Sequence, residues 1–90
     1  LIETKASLVW RKGDAVAGEV LRELLRAVEK FTPFHSGHEG YAVILEELDE
    51  LWDEVKKRPS ERNTQKMRGE AVQVAAMAIR FITDVCEKEE

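Results

Sequence analysis

The chain has 90 residues, 43% of them hydrophobic and 36% charged, with a net charge of −4. That charge, with no dense basic stripe, argues against a nucleic-acid groove, and no apolar run approaches the roughly 20 residues of a membrane span. A chain this short buries only roughly 60–65% of the surface it exposes when unfolded, so a lone monomer is marginal and self-association is the expected remedy.

Residues 1–12 lack a long helical period and read as an N-terminal arm whose Leu8, Val9 and Trp10 dock on the body. Leu1-Ile2 is followed at once by Glu3 and Lys5, which does not resemble a signal peptide. Gly13-Asp14 reads as a helix start with Asp14 as N-cap. Val16, Val20, Leu21, Leu24, Leu25 and Val28 then recur at spacings of three and four, which predicts an amphipathic helix over 15–31, ended by Thr32-Pro33. Ser36 and Glu39 form an S-x-x-E capping box, so a second helix is expected from Gly37 to about Arg58, with Pro59 as its stop. His35 and His38 flank that start, and no third nitrogen or sulfur ligand completes a zinc set. A polar connection leads to a third helix from about Gln65 to Glu87. Cys86 is the only cysteine, which excludes an internal disulfide and fits a reducing, cytoplasmic setting. The expectation is one all-α domain over 1–90: an antiparallel bundle of three helices per chain, completed as a homodimer or homotetramer.

The second helix carries "EELDELWDE" at 46–54, six acids in nine residues. Its end mixes signs, with Asp53 able to meet Lys57 and Glu54 able to meet Arg58. Before that the spacing is like-charged: Glu46–Glu50, Asp49–Asp53 and Glu50–Glu54 at i,i+4, with three more pairs at i,i+3. At about 0.2–0.5 kcal/mol per pair the repulsion is on the order of 1–3 kcal/mol, and a bound cation reverses its sign. On a helical wheel Tyr41, Ile44, Leu45, Leu48, Leu51, Trp52 and Val55 share one side. Glu39, Glu46, Glu50 and Asp53 share the other, with Glu47 and Glu54 at the border. On the third helix Glu70 lies on a stripe with Val74, Met77, Phe81 and Val85, where a carboxylate is expensive unless paired or coordinated. A helix N-terminus also tolerates such a charge. If Glu70 faces the acids of helix two, the result is a cage of hard oxygens suited to Mg²⁺. Gln73, Arg80 and Asp84 follow one turn apart. They read either as an exposed edge with an internal Arg80–Asp84 pair or as a rim where Arg80 meets a phosphate.

These two acidic motifs on consecutive helices resemble the MazG-like, all-α nucleoside triphosphate pyrophosphohydrolases, whose pattern is E-E-x-x-E on one helix and E-x-x-D on the next. Glu46-Glu47-Leu48-Asp49-Glu50 supplies the first, and Glu70-Ala71-Val72-Gln73 the second with Gln73 in place of Asp. The resemblance covers residues 36–86. It implies hydrolysis of a nucleoside triphosphate to a monophosphate and pyrophosphate, in the cleaning of nucleotide pools. It also implies that Glu47, Glu50, Glu70 and Gln73 hold Mg²⁺ (or Mn²⁺), with Glu46 adding to the cage or orienting the attacking water and Arg80 on the substrate. Gln73 removes one negative charge from the set. The alternative expectation is therefore a non-catalytic or weakly active helical oligomer or nucleotide-binding module. A third is an acidic surface for a basic protein partner.

Overall fold

The computed structural model describes residues 2–88. Helix α1 runs over Lys5–Lys30, α2 over Gly37–Val55 and α3 over Thr64–Phe81. A 3₁₀ turn at Pro59–Glu61 links α2 to α3, and a wider π-helical turn at Ile82–Cys86 extends α3. No strand occurs among the described residues, so the chain is all-α with three helices.

Helix α1 starts ten residues earlier than the sequence suggests. Thr4, not Asp14, is its N-cap, and the Thr4 hydroxyl accepts from the Ser7 N–H at 3.1 Å. Nothing in Lys5–Lys12 breaks a helix. Gly13 costs about 1 kcal/mol relative to Ala but does not end the ladder. The Arg11 guanidinium also reaches back to Glu3 at 3.0 Å. The expected arm is thus the first two turns of α1. It does not dock: Leu8 is half-buried, but Val9 and Trp10 are 69% and 78% exposed.

Helix α2 begins as its capping box requires. The Ser36 hydroxyl accepts from the Glu39 N–H at 3.1 Å. The Glu39 carboxylate accepts from the His35 N–H and lies 3.0 Å from His35 Nδ1, which pulls its pKa below the usual carboxylate range. Helix α2 stops at Val55, three residues short of expectation, so Lys57 and Arg58 lie off the helix. The pairs at its end accordingly form at i,i+3, Asp53 with Lys56 and Glu54 with Lys57, both at 2.9 Å. Asn63 caps α3, its side-chain oxygen accepting from the Gln65 and Lys66 N–H groups.

Helix α3 packs on both α1 and α2, which scarcely touch each other. It runs parallel to α1, because Glu19 meets Arg68, Glu23 meets Gln73 and Thr32 meets Arg80 in ascending order. It is antiparallel to α2, because Gly37 and Gly40 lie against Phe81 near the C-terminal end of α3. The result is a flat body with extents of 49 × 38 × 20 Å. Its core is a narrow seam of Val20, Ala27, Phe34, Val72, Ala76 and Met77. Much of the apolar pattern lies outside that seam: Leu21, Leu25 and Val28 on α1 and Tyr41, Leu45, Leu48 and Trp52 on α2 are exposed. No helix among the described residues is long and apolar enough to cross a membrane.

Gly40 marks the closest approach in the seam. A Cβ there would sit 2.6 Å from Phe81 Cδ2 and 3.1 Å from Phe34 Cδ2, whereas one at Gly13 would meet nothing within 4 Å. Thermal denaturation should therefore show opposite signs. Gly13→Ala stabilises by about 0.5–1 kcal/mol through helix propensity. Gly40→Ala destabilises, because overpacking of about 1–3 kcal/mol outweighs the same gain.

Candidate metal centre

Glu47 and Glu50 are three residues apart on α2, and Glu70 lies in the second turn of α3, which runs antiparallel beside it. Each offers one carboxylate oxygen, and the three oxygens lie within 4.8 Å of one another. Glu47 and Glu70 are half-buried and Glu50 is exposed. Burial, followed by the neighbouring Glu50 charge, pushes the Glu47 carboxyl from its ordinary 4.5 up to about 7. Burial and then Glu50 raise Glu70 as well. No Lys, Arg or His among the described residues forms an ion pair with any of the three.

That donor set fits a small divalent cation. It is made of hard oxygens, it converges from two helices, and its mutual repulsion is answered by no basic side chain. Three carboxylates with open positions suit Mg²⁺, which retains waters and joins phosphates. Glu46 stands outside the trio and is exposed. Its charge still adds to the upward push on Glu47. Gln73 is turned toward α1, where its Nε2 donates to Glu23 Oε1 at 2.5 Å. Its carboxamide oxygen is the atom left for another partner.

Beside the carboxylates a cleft of about 620 Å³ opens between the three helices. Its floor is α3, at Gln73, Met77 and Arg80, and its walls include Glu46 and Glu47 on one side and Arg26 and Lys30 on the other. Phe31 and Phe34 close one end. The volume lies within the range of small-molecule sites.

Arg80 is not on an exposed edge. It is 4% exposed, because the segment after α1 folds over it. Its Nη2 donates to the Thr32 carbonyl at 2.6 Å, and its Nε lies 3.6 Å from Asp84 Oδ2. Asp84 also accepts from the Phe34 N–H at 3.0 Å, and the Arg80 guanidinium stacks 4.1 Å from the Phe34 ring centre. The Arg80–Asp84 pair expected from the sequence therefore exists, but inside a clamp that ties the end of α1 to the end of α3.

Glu23 is the cleft residue that sequence reasoning missed. Arg26 and then Gln73 hydrogen-bond its carboxylate and hold its pKa below the usual range. In the sequence it is one more i,i+3 surface pair, and only the α1–α3 contact places it in the cleft. No family model matches the chain, and neither does any curated protein or solved structure.

The raised Glu47 pKa has a signed consequence. A carboxyl whose folded pKa is raised favours the fold most below its unfolded value, and loses that contribution as pH rises through the folded value. In EDTA, the melting temperature relative to Glu47→Gln should decline from pH 4.5 to about 7. Millimolar Mg²⁺ should reverse the decline. Glu70→Gln should raise the melting temperature in EDTA near neutral pH and abolish the Mg²⁺ effect, as followed by circular dichroism.

Proposed function

We propose that the chain is a Mg²⁺-dependent nucleoside triphosphate pyrophosphohydrolase. The carrying observation is the convergence of Glu47, Glu50 and Glu70 at the side of a cleft with cationic and aromatic walls. The resemblance of the two acidic motifs to the MazG-like pattern supplies the reaction class. Water attacks the α-phosphorus, the bond to the bridging oxygen breaks, and pyrophosphate leaves from the monophosphate.

In this reading Glu47, Glu50 and Glu70 hold the cation, and the Gln73 carboxamide oxygen is a fourth, uncharged donor. A magnesium or manganese ion held by these residues would offset phosphate charge and supply an acidified water. Glu46 borders both the carboxylates and the cleft, a position from which it can orient the water and accept its proton. Lys30 faces the cleft with a charge complementary to a polyphosphate, and Arg26, which pairs with Glu23, lines the same wall; Arg80, held by Thr32 and Asp84, forms part of the floor. A nucleotide pool in a reducing cytoplasm is the setting this reading implies.

The bond between Gln73 and Glu23 favours a second reading, a nucleotide-binding module with little or no turnover. The metal-holding set then has three carboxylates, with Gln73 where the family pattern has a fourth, and weaker metal binding follows.

Pyrophosphate release from a panel of ordinary and modified nucleoside triphosphates, with Mg²⁺ and with Mn²⁺, separates the two. Turnover on at least one nucleotide is expected. Glu50→Gln should lower it by at least about 10–100-fold, the loss that even indirect metal contacts carry. Nucleotide binding without release, with release gained in Gln73→Asp, establishes the second reading instead. Release unchanged by Glu50→Gln removes the carboxylates from the chemistry.

A further inference from the structure

A hydrogen bond between Glu23 and Gln73 joins the α1 wall of the cleft to its floor. Fifty residues separate the two in the chain. Glu23 is fixed first on its own helix. Arg26, one turn later, donates to its Oε2 from Nε at 2.9 Å and from Nη2 as well. That leaves Oε1 as the oxygen for Gln73. The Glu23 side chain is only 18% exposed, so water competes little for it.

An ionised carboxylate only accepts, whereas a carboxamide has a donor end and an acceptor end. Glu23 therefore binds Gln73 in one sense alone, with the NH₂ group toward α1. The opposite flip would set two acceptors against each other at the 2.5 Å of this contact. The amide oxygen is thus the end turned away from α1. It makes no hydrogen bond among the described residues, and it is not shut in, because no buried side-chain oxygen or nitrogen there lacks a partner. Glu70 precedes Gln73 by one turn on the same face of α3, and Glu47 lines the same cleft from α2.

We propose that Glu23 is a positioning residue, which holds the Gln73 carboxamide with its oxygen free as an acceptor for a divalent cation. It also makes an amide, rather than a carboxylate, the fitting side chain at position 73. A carboxylate of the same length would face Glu23 with no proton between them. The role toward a cation rests on the reading of Glu47, Glu50 and Glu70 as the residues that hold one. The orientation of the amide does not.

Mn²⁺ binding, followed by loss of the free-ion electron paramagnetic resonance signal, and metal-free melting in EDTA test the two parts. Glu23→Gln keeps the shape of the side chain but lets the Gln73 amide face either way. It should weaken Mn²⁺ binding by about 10-fold, as loss of a group that orients a metal ligand does. Glu19→Gln removes the same charge one turn earlier on α1 and should leave binding unchanged. In EDTA, Gln73→Glu should lower the melting temperature. Most of that loss should vanish in Glu23→Gln with Gln73→Glu, where a donor again faces an acceptor. The side-chain amide resonance of Gln73 should move in Glu23→Gln and stay in place in Glu19→Gln. If Glu23→Gln binds Mn²⁺ as wild type does while Glu50→Gln does not, the role of Glu23 falls and the metal reading stands. Equal losses in Glu19→Gln and Glu23→Gln reduce Glu23 to a general charge and also overturn its role. So does a Gln73→Glu loss that Glu23→Gln leaves in full. Wild type that binds no Mn²⁺ overturns the proposed function, and with it the role of Glu23 toward a cation.

Discussion

Helix α3 is packed on two flanks while α1 and α2 are each packed on one, and the other features of the chain follow from that asymmetry. Three helices in a layer leave the middle one with two free faces. One face of α3 becomes the floor of a cleft, and the other becomes the centre of an apolar surface. The seam between is thin, and it closes where Gly40 lets the Phe81 and Phe34 rings approach the α2 backbone.

The Arg80 clamp fixes the same layer from its other end. A buried guanidinium is expensive unless its donors are used. Here the Thr32 carbonyl, the Asp84 carboxylate and the Phe34 ring share it. These contacts hold the link between α1 and α2 against the end of α3. They thereby set the end wall of the cleft, where Phe31 and Phe34 stand. Opposite in sign is the carboxylate group of Glu47, Glu50 and Glu70, which costs stability without a cation. The molecule thus combines a satisfied charge where the fold is tied together and an unsatisfied one where the cleft opens.

Much of the secondary structure was legible in the residues. Ser36 with Glu39 marked the start of α2, and Pro59 marked the turn that follows it. The start of α1 was misread because Gly13-Asp14 has the chemistry of a helix start, and nothing local reveals that Thr4 already provides one. The wheel of α2 separated its acids from its apolar side correctly, but it could not say that α3 covers only part of the apolar side. Tyr41, Leu45, Leu48 and Trp52 have the periodicity of a core stripe and remain exposed. Periodicity reports amphipathicity, and amphipathicity does not distinguish a core within the chain from an interface beyond it.

By itself the sequence determined that there are three helices, the acidic character of α2 and the placement of Glu70 on an apolar stripe, because each is set by spacings of three and four along one helix. Only the tertiary structure decided which of those acids meet. Glu47, Glu50 and Glu70 come together through the antiparallel pairing of α2 and α3, and Glu46 stays outside on the same helix. The tertiary structure also turned Gln73 to Glu23 and buried Arg80, because both depend on α1 lying parallel to α3 some fifty residues away in the chain. Contacts at that separation leave no periodic trace in the sequence.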